Sequence, residues 1–338
     1  PSPTDIASVH TLPQLLAYRA ARTPNAEAYR AFDTNTQAWT SLTWAETTHR
    51  VGTWAQALAA MQLPAAARIA ILLPNGLNAM CADQATLATG CVPVPLHAID
   101  NPGSIAYILS DCEASMLIVS HAEQWEKIQA VGKPFPALRA VVITDEDTSS
   151  FKATAGYGDG PAVGSLVQWL AVAAHAGSAP VPKAPEAEDL AAIVYTSGTT
   201  GKPKGVMLTH HNVISDVKAV LERIAPTVDD VFLSFLPLSH TFERTGGYYL
   251  PIAAGSCVAY ARSVAQLAED LKTVRPTVLV SVPRIYERIH AKLIEKLSPT
   301  PWKMQLYEAA QNKGWARFCA AQGLPAPAAE DGRAAGWM

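Results

Sequence analysis

An α/β fold is the class this chain of 338 residues predicts. Three observations lead there. Short apolar runs alternate along the sequence with segments of helical period, the pattern of strands interleaved with helices. Apolar residues make up 49% of the chain and charged residues 16%, enough for a large core and too apolar for global disorder. Glycines and prolines gather between Asp145 and Glu188, separating two such alternating halves.

In the first half, Leu12, Leu15, Leu16 and Arg19 recur at helical spacing and predict an amphipathic helix over Leu12 to Arg22. A second helix is expected from Thr43 to Met61, with Thr43 and Glu46 placed as a capping box. Arg68 to Leu73 reads as a strand, Leu77 to Thr89 as a helix and Val92 to Leu96 as a strand. A helix from Ser104 to Ser110 and strands at Ser115–Ser120 and Leu138–Ile143 follow, and Ser165 to Ala174 reads as a short helix. Ala176 to Glu188 is expected to be a surface connection.

The second half predicts strands near Leu190–Tyr195, Val231–Phe235, Ser256–Tyr260 and Thr277–Val280. Helices are expected at Asn212–Ile224, Val264–Val274, Pro283–Lys296 and Pro301–Ala321. The Ala/Pro/Gly-rich stretch from Gly323 reads as a frayed tail. The organisation expected is a first α/β subdomain over 1–180, a second over 181–322 and a disordered tail over 323–338.

Composition excludes several classes. A net charge of −3 gives no basic footprint for nucleic acid. Cys81, Cys91, Cys112, Cys257 and Cys319 form no CxxC pair and read as buried thiols, not as a disulfide frame or a zinc site. No secretory signal is visible at the start, and the most apolar region, Ile69 to Leu96, is broken by Pro74, Asn75, Asp83 and Gln84. A cytoplasmic protein is expected.

The richest chemistry lies in Tyr195 to Gly205, which brings together the hydroxyls of Thr196, Ser197, Thr199 and Thr200, the glycines Gly198, Gly201 and Gly205, and Lys202 and Lys204. Leu190 to Val194 reads as a buried strand, so the run hangs from a strand end, with Val206 to Thr209 able to return as another. Glycines admit close backbone approach while hydroxyls and lysines supply donors and charge. Such a loop suits a polyanion, above all a nucleoside triphosphate. The Walker loop is excluded, because two residues separate Gly198 from Gly201 and Pro203 follows Lys202.

This loop resembles the phosphate-binding signature of the AMP-forming adenylate ligases. The likeness extends to Leu208-Thr209-His210-His211-Asn212 and to Leu236 through Arg244, which is similar to the second core motif of long-chain fatty acyl-CoA synthetases. It also extends to Arg275-Pro276-Thr277 with Val282 through Ile289, and upstream to Leu72–Asn75 and Gly90–Leu96. The resemblance implies two stacked α/β subdomains of a ligase's large N-terminal domain. It implies ATP-dependent activation of a fatty acid to an acyl-adenylate, then thioester formation with CoA. By the same likeness Thr196, Ser197, Gly198, Thr199, Thr200, Gly201, Lys202 and Lys204 wrap the phosphates, Thr196 touches Mg2+, and His240 stands beside the adenylate and the acyl entrance. The family's Tyr-Gly-x-Thr-Glu segment, its Thr-Gly-Asp segment and its C-terminal lysine are not found here, so an N-terminal fragment, inactive alone and without the C-terminal part, is expected. Alternatives are a fatty acyl-AMP ligase that feeds a carrier protein, and a non-catalytic nucleotide-binding fragment. Enzymes acting on long acyl chains often sit against membranes, so peripheral membrane contact belongs to the same expectation.

Other residues read as structural. Glu243 and Arg244 suggest an ion-pair set. His210 and His211 have no ligand partner at metal spacing and suggest packing at a helix start. The eight tryptophans form no stacking stripe, and Arg284, Arg288 and Lys292 line one helix face at i, i+4 and i+8, which reads as a solvated face with a CoA site as the alternative.

Overall fold

The computed structural model describes residues 6–145, 160–175, 183–196 and 202–325. The chain divides into two compact units, Pro1–Val280 and Ser281–Met338. Of the sequence expectations, Ser197, Gly198, Thr199, Thr200 and Gly201 lie outside the described residues, as do Trp337, most of the 323–338 tail and most of the connection that starts at Ala176.

The first unit opens with α1 (Leu12–Arg22), β1 (Glu27–Asp33), β2 (Ala38–Thr43) and α2 (Trp44–Ala60). Next come β3 (Arg68–Leu72), α3 (Leu77–Ala88), β4 (Val92–Pro95), α4 (Pro102–Asp111), β5 (Met116–Val119), α5 (Ala122–Gln129) and β6 (Ala140–Ile143). It continues through β7 (Ala162–Ser165), α6 (Leu166–His175), β8 (Leu190–Thr196), β9 (Lys204–Thr209), α7 (His210–Leu221) and β10 (Val231–Ser234). After α8 (Thr241–Glu243), a π-helical turn over Arg244–Tyr249 and α9 (Leu250–Ala254), it ends with β11 (Cys257–Tyr260) and α10 (Leu267–Val274). The capping boxes explain several helix starts. Thr43 Oγ1 accepts from the Glu46 amide at 3.2 Å while Glu46 Oε2 accepts from the Thr43 amide at 2.8 Å, and Thr209 and Asn212 do the same for α7.

Five strands form a parallel sheet in the order β4-β3-β5-β6-β7, the doubly wound order 2-1-3-4-5. Such a sheet is covered on both faces, and the alternation shows it. Ile69, Ile71, Met116, Ile118 and Val142 face one buried cluster, shared with α1, α2, α3 and the second sheet. Ala70, Leu72, Leu117, Val119, Val141 and Ile143 face another, closed by α4 and α5. The second sheet runs β10-β11-β1-β2, with only β1 and β2 antiparallel, and β8 and β9 form a separate hairpin. This is the mixed α/β architecture that the sequence predicts. The boundary expected near residue 180 falls between elements that share a sheet, since β1 and β2 join β10 and β11.

Several local expectations change. The strand expected at Thr277–Val280 reduces to one bridge, Phe232 to Val278. The stretch from Thr241 to Ala254 is helical despite Gly246, Gly247 and Pro251. There the chain leaves the α ladder for a π turn, and a Cβ at Gly247 would overlap the Glu243 carboxylate. The second unit contains α11 (Pro283–Leu297) and α12 (Pro301–Gln322), each opened by a proline at its first turn. Helix α11 carries no buried side chain, so Arg284, Arg288 and Lys292 are exposed, as expected.

Candidate active site

A cleft of about 470 Å³ opens outside the carboxyl ends of parallel strands from both large sheets, where open α/β sheets place their ligands. Its walls come from the segments that follow β3, β4, β10 and β11. Ile71, Leu73, Leu96 and Leu238 give it an apolar lining, and His97 stands at the exit of β4. The His240 ring meets His97 edge to face, with centroids 5.8 Å apart.

His240 is exposed, and its backbone is tied down on both sides. Its amide donates to the Pro237 carbonyl at 3.0 Å and its own carbonyl accepts from the Arg244 amide at 3.0 Å. A core role is therefore excluded for this ring. Beside it, Ser239 Oγ is buried without a hydrogen-bond partner while its residue lines the cleft.

Glu243 and Arg244 do not pair with each other. Successive helical side chains point about 100° apart, and each finds a partner elsewhere. Arg244 Nη2 meets Asp83 Oδ1 at 2.6 Å, with both side chains buried. Burial alone would loosen the guanidinium's hold on its proton, but the Asp83 charge and hydrogen bond, together with Tyr249 and Tyr248, more than offset it and the pKa is raised. Tyr248 and Tyr249 donate to Asp83 Oδ2 at 3.2 and 3.3 Å, and Arg244 Nη2 also donates to Tyr249 Oη at 2.6 Å. Glu243 Oε1 accepts from Ser234 Oγ at 2.7 Å while Oε2 has no partner. Burial outweighs that one bond and pushes the carboxyl up to about 7. Arg262, on the cleft rim, is matched by Asp270 at 2.6 Å and Glu269 at 3.0 Å. The charges Asp83, Arg244 and Arg262 that line the cleft are thus balanced within the protein.

Thr196, Lys202 and Lys204 do not line this cleft. Thr196 ends β8 and Lys204 begins β9, directly opposite each other in the hairpin register, and both are exposed. The hairpin is anchored by Tyr195, whose hydroxyl donates to Asp111 Oδ2 at 2.6 Å, and Lys202 Nζ lies 5.9 Å from the Tyr107 ring centroid. Gly205 has a local reason to be glycine, because a Cβ there would press on Ile193 and on the Tyr195 ring at 2.9 and 3.0 Å.

His210 is structural, as expected. It is buried, and Nδ1 accepts from the Leu12 amide at 3.1 Å, which ties α1 to α7. His211 is exposed. Among the described residues no group of three or more His, Cys, Asp or Glu could hold a metal ion, and no helix is long and apolar enough to cross a membrane. All five cysteines are buried and free. Sequence reasoning missed His97, Asp83 and Ser234 as cleft residues. The signal for His97 and Ser234 was their place at the carboxyl ends of apolar runs.

Comparison with known proteins agrees with this architecture. The solved N-terminal domain of FACL13 from Mycobacterium tuberculosis superposes with a TM-score of 0.67 at 23% identity, covering 82% of this chain and 64% of that one. The anthranilate CoA ligase AuaEII, solved with anthranoyl-AMP, gives 0.67 at 19% identity, covering 82% and 51%. At these identities the likeness is one of fold. Human long-chain-fatty-acid–CoA ligase 6 is 31% identical over 257 residues, 72% of this chain and 35% of the relative. Human long-chain-fatty-acid–CoA ligase 1 is 32% identical over 254 residues, 72% and 36% respectively. The chain therefore spans about a third of the length of these curated relatives. The AMP-binding enzyme family model matches residues 16–336, and the chain belongs to that family.

Proposed function

We propose that this chain carries the phosphate loop and the cleft of an ATP-dependent fatty-acid ligase. In this reaction a carboxylate oxygen attacks the α-phosphorus of ATP and the bond to the bridging oxygen of pyrophosphate breaks, leaving an acyl-adenylate. The CoA thiolate then attacks the acyl carbon and AMP departs. The observation that carries the reading is the hairpin register. Thr196 and Lys204 are cross-strand partners at the open end of β8 and β9, which puts a hydroxyl and an ammonium side by side. The long-chain ligases at 31–32% identity support the acyl class.

Thr196, Lys202 and Lys204, together with Ser197, Gly198, Thr199, Thr200 and Gly201, would hold the β- and γ-phosphates and neutralise charge on the leaving group. Mg2+ would arrive with the nucleotide, because the Thr196 hydroxyl alone would hold it poorly. Its chemistry is to neutralise phosphate charge. The apolar, charge-balanced cleft suits the hydrocarbon of the acyl group, and His240, which does not line the cleft itself but meets its residue His97, would orient the reacting carboxylate. This 338-residue chain alone is expected to form no acyl-CoA. Thioester release from palmitate, ATP and Mg2+ at the rate of an intact ligase would overturn that expectation.

In a ligase carrying this segment, Thr196→Ala and Lys204→Ala should each weaken ATP–pyrophosphate exchange. Loss of one charge-assisted phosphate contact costs on the order of 1.5–3 kcal/mol, roughly tenfold to 150-fold in rate. Unchanged exchange in both variants would sink the phosphate-loop assignment. His240→Ala removes an exposed ring, so the melting temperature should stay within about two degrees while most thioester formation is lost. An equal loss of stability and activity would remove His240 from the site. Product analysis decides the acceptor, since accumulation of acyl-adenylate with CoA present would indicate transfer to a carrier protein.

A further inference from the structure

We propose that Asn75 is the positioning residue that holds the His240 loop in place across the cleft, an inference that rests on the ligase reading for its catalytic consequence. Asn75 lies just past the end of β3 and makes three of the four hydrogen bonds its amide can form, all to the segment Ser234–Leu238. Nδ2 donates to the Leu236 carbonyl at 2.6 Å and to Ser234 Oγ at 3.0 Å, and Oδ1 accepts from the Leu238 amide at 3.2 Å. The partners fix the orientation of the amide, because a carbonyl must face the NH2 and an N–H must face the oxygen. Pro237, between the two clamped residues, has no N–H of its own, and its carbonyl accepts from the His240 amide at 3.0 Å. A continuous run of bonds therefore leads from Asn75 through Leu236 and Leu238 to the turn that presents His240.

The opposing ring makes this placement consequential. His97 follows β4, in the same sheet as the strand that leads into Asn75, while His240 follows β10 of the other sheet. Their contact at 5.8 Å exists only while the exits of the two sheets keep their mutual register. Asn75 bonds directly across that gap, and Ser234 beneath it passes the contact on to Glu243 at 2.7 Å. A side chain that only stabilised the fold would be equally useful anywhere in the core. This one is spent on the backbone of the loop that precedes the candidate catalytic residue.

The test uses Asn75→Leu, which keeps the branching at Cγ and removes all three bonds, and Asn75→Asp, which keeps the acceptor toward Leu238 and loses both N–H donors. In the 338-residue chain, hydrogen exchange of the peptide spanning Leu236 to His240 should quicken at least tenfold in Asn75→Leu. The histidine Cε1 signals of His97 and His240 should shift while that of His210 does not. Asn75→Asp should show a smaller change in both readouts, and Ser234→Ala, which leaves both loop bonds, should keep the Leu238 amide protected. In the ligase, kcat should fall tenfold or more in Asn75→Leu with KM for ATP within twofold, and Asn75→Leu combined with His240→Ala should be no slower than His240→Ala alone. Unchanged exchange and unchanged histidine signals in Asn75→Leu would overturn the proposal, and so would additive losses in the double variant. If Asn75→Leu does not fold, the same readouts in Asn75→Asp decide. Loop and ring responses as expected in the 338-residue chain, together with an intact wild-type protein carrying this segment that forms no adenylate, would count against the ligase reading and leave the positioning role standing.

Discussion

Asp83→Ala is expected to lower stability by about 3–5 kcal/mol, the cost of leaving a buried charge without its partner. Asp83 on α3 and Arg244 in the π turn are both buried, and their 2.6 Å contact lies inside a polar cluster within the core. Removing the carboxylate strands the guanidinium and deprives Tyr248 and Tyr249 of the acceptor they share. Gln84 Nε2, which donates to Tyr248 Oη at 2.8 Å, would then hold a hydroxyl that has nowhere to donate. In a unit of this size each kcal/mol moves the melting temperature by roughly 2–4 °C, so a fall of about ten degrees should follow. Replacing both partners, as Asp83→Leu with Arg244→Met, should recover much of the loss because no charge is left buried. Thermal and urea unfolding of the three proteins checks this. A single Asp83→Ala variant within 1 kcal/mol of the parent would mean that solvent reaches the pair.

The same pair shows what local sequence can and cannot convey. Four strands of the five-stranded sheet were legible because β3, β4, β5 and β6 are buried apolar runs, whereas the edge strand β7, Ala-Val-Gly-Ser with one buried residue, was not. Helix α2 was legible because Thr43 and Glu46 announce it. The hairpin β1–β2 was not. Of its residues only Ala28 and Tyr29 are fully buried, and β1 finds its other neighbour in β11, more than two hundred residues away. Helix α5 was missed because it buries only Trp125 and Ile128. The Thr241–Ala254 helix was hidden by Gly246, Gly247 and Pro251, which are breakers by local rule. At Gly247 the reason is tertiary, since the Glu243 carboxylate occupies the space a Cβ would need. The dense run from Tyr195 to Gly205 disclosed the candidate phosphate site from the sequence. The pairings of Asp83 with Arg244 and of His97 with His240 exist only once two sheets are stacked, and no spacing along the chain encodes them.

Stability should respond to pH through two buried groups that pull in opposite directions. Burial lowers the His210 pKa from 6.5 to about 4, and protonating Nδ1 would set it donor to donor against the Leu12 amide. The unfolded chain therefore takes up this proton first, so stability falls as pH drops from about 6.5 toward 4. Glu243 does the reverse. Its carboxyl, raised from 4.5 to about 7, stays protonated in the fold after the unfolded chain has ionised, so stability falls as pH rises from about 4.5 toward 7. Between about 4.5 and 6.5 the two slopes cancel, and the unfolding free energy of the wild type should be nearly flat with respect to this pair. Glu243→Gln keeps the acceptor for Ser234 and removes the titration, and it should expose a rise of on the order of 2–3 kcal/mol from pH 4 to 6.5. His210→Asn can offer an oxygen where Nδ1 stood and should expose the opposite slope, a decline of similar size from pH 4.5 to 7. Urea unfolding at half-unit pH steps measures all three curves. Parallel curves for the wild type and both variants would show that neither group changes its affinity for a proton on folding. A slope that changes in only one variant would assign the coupling to that residue alone.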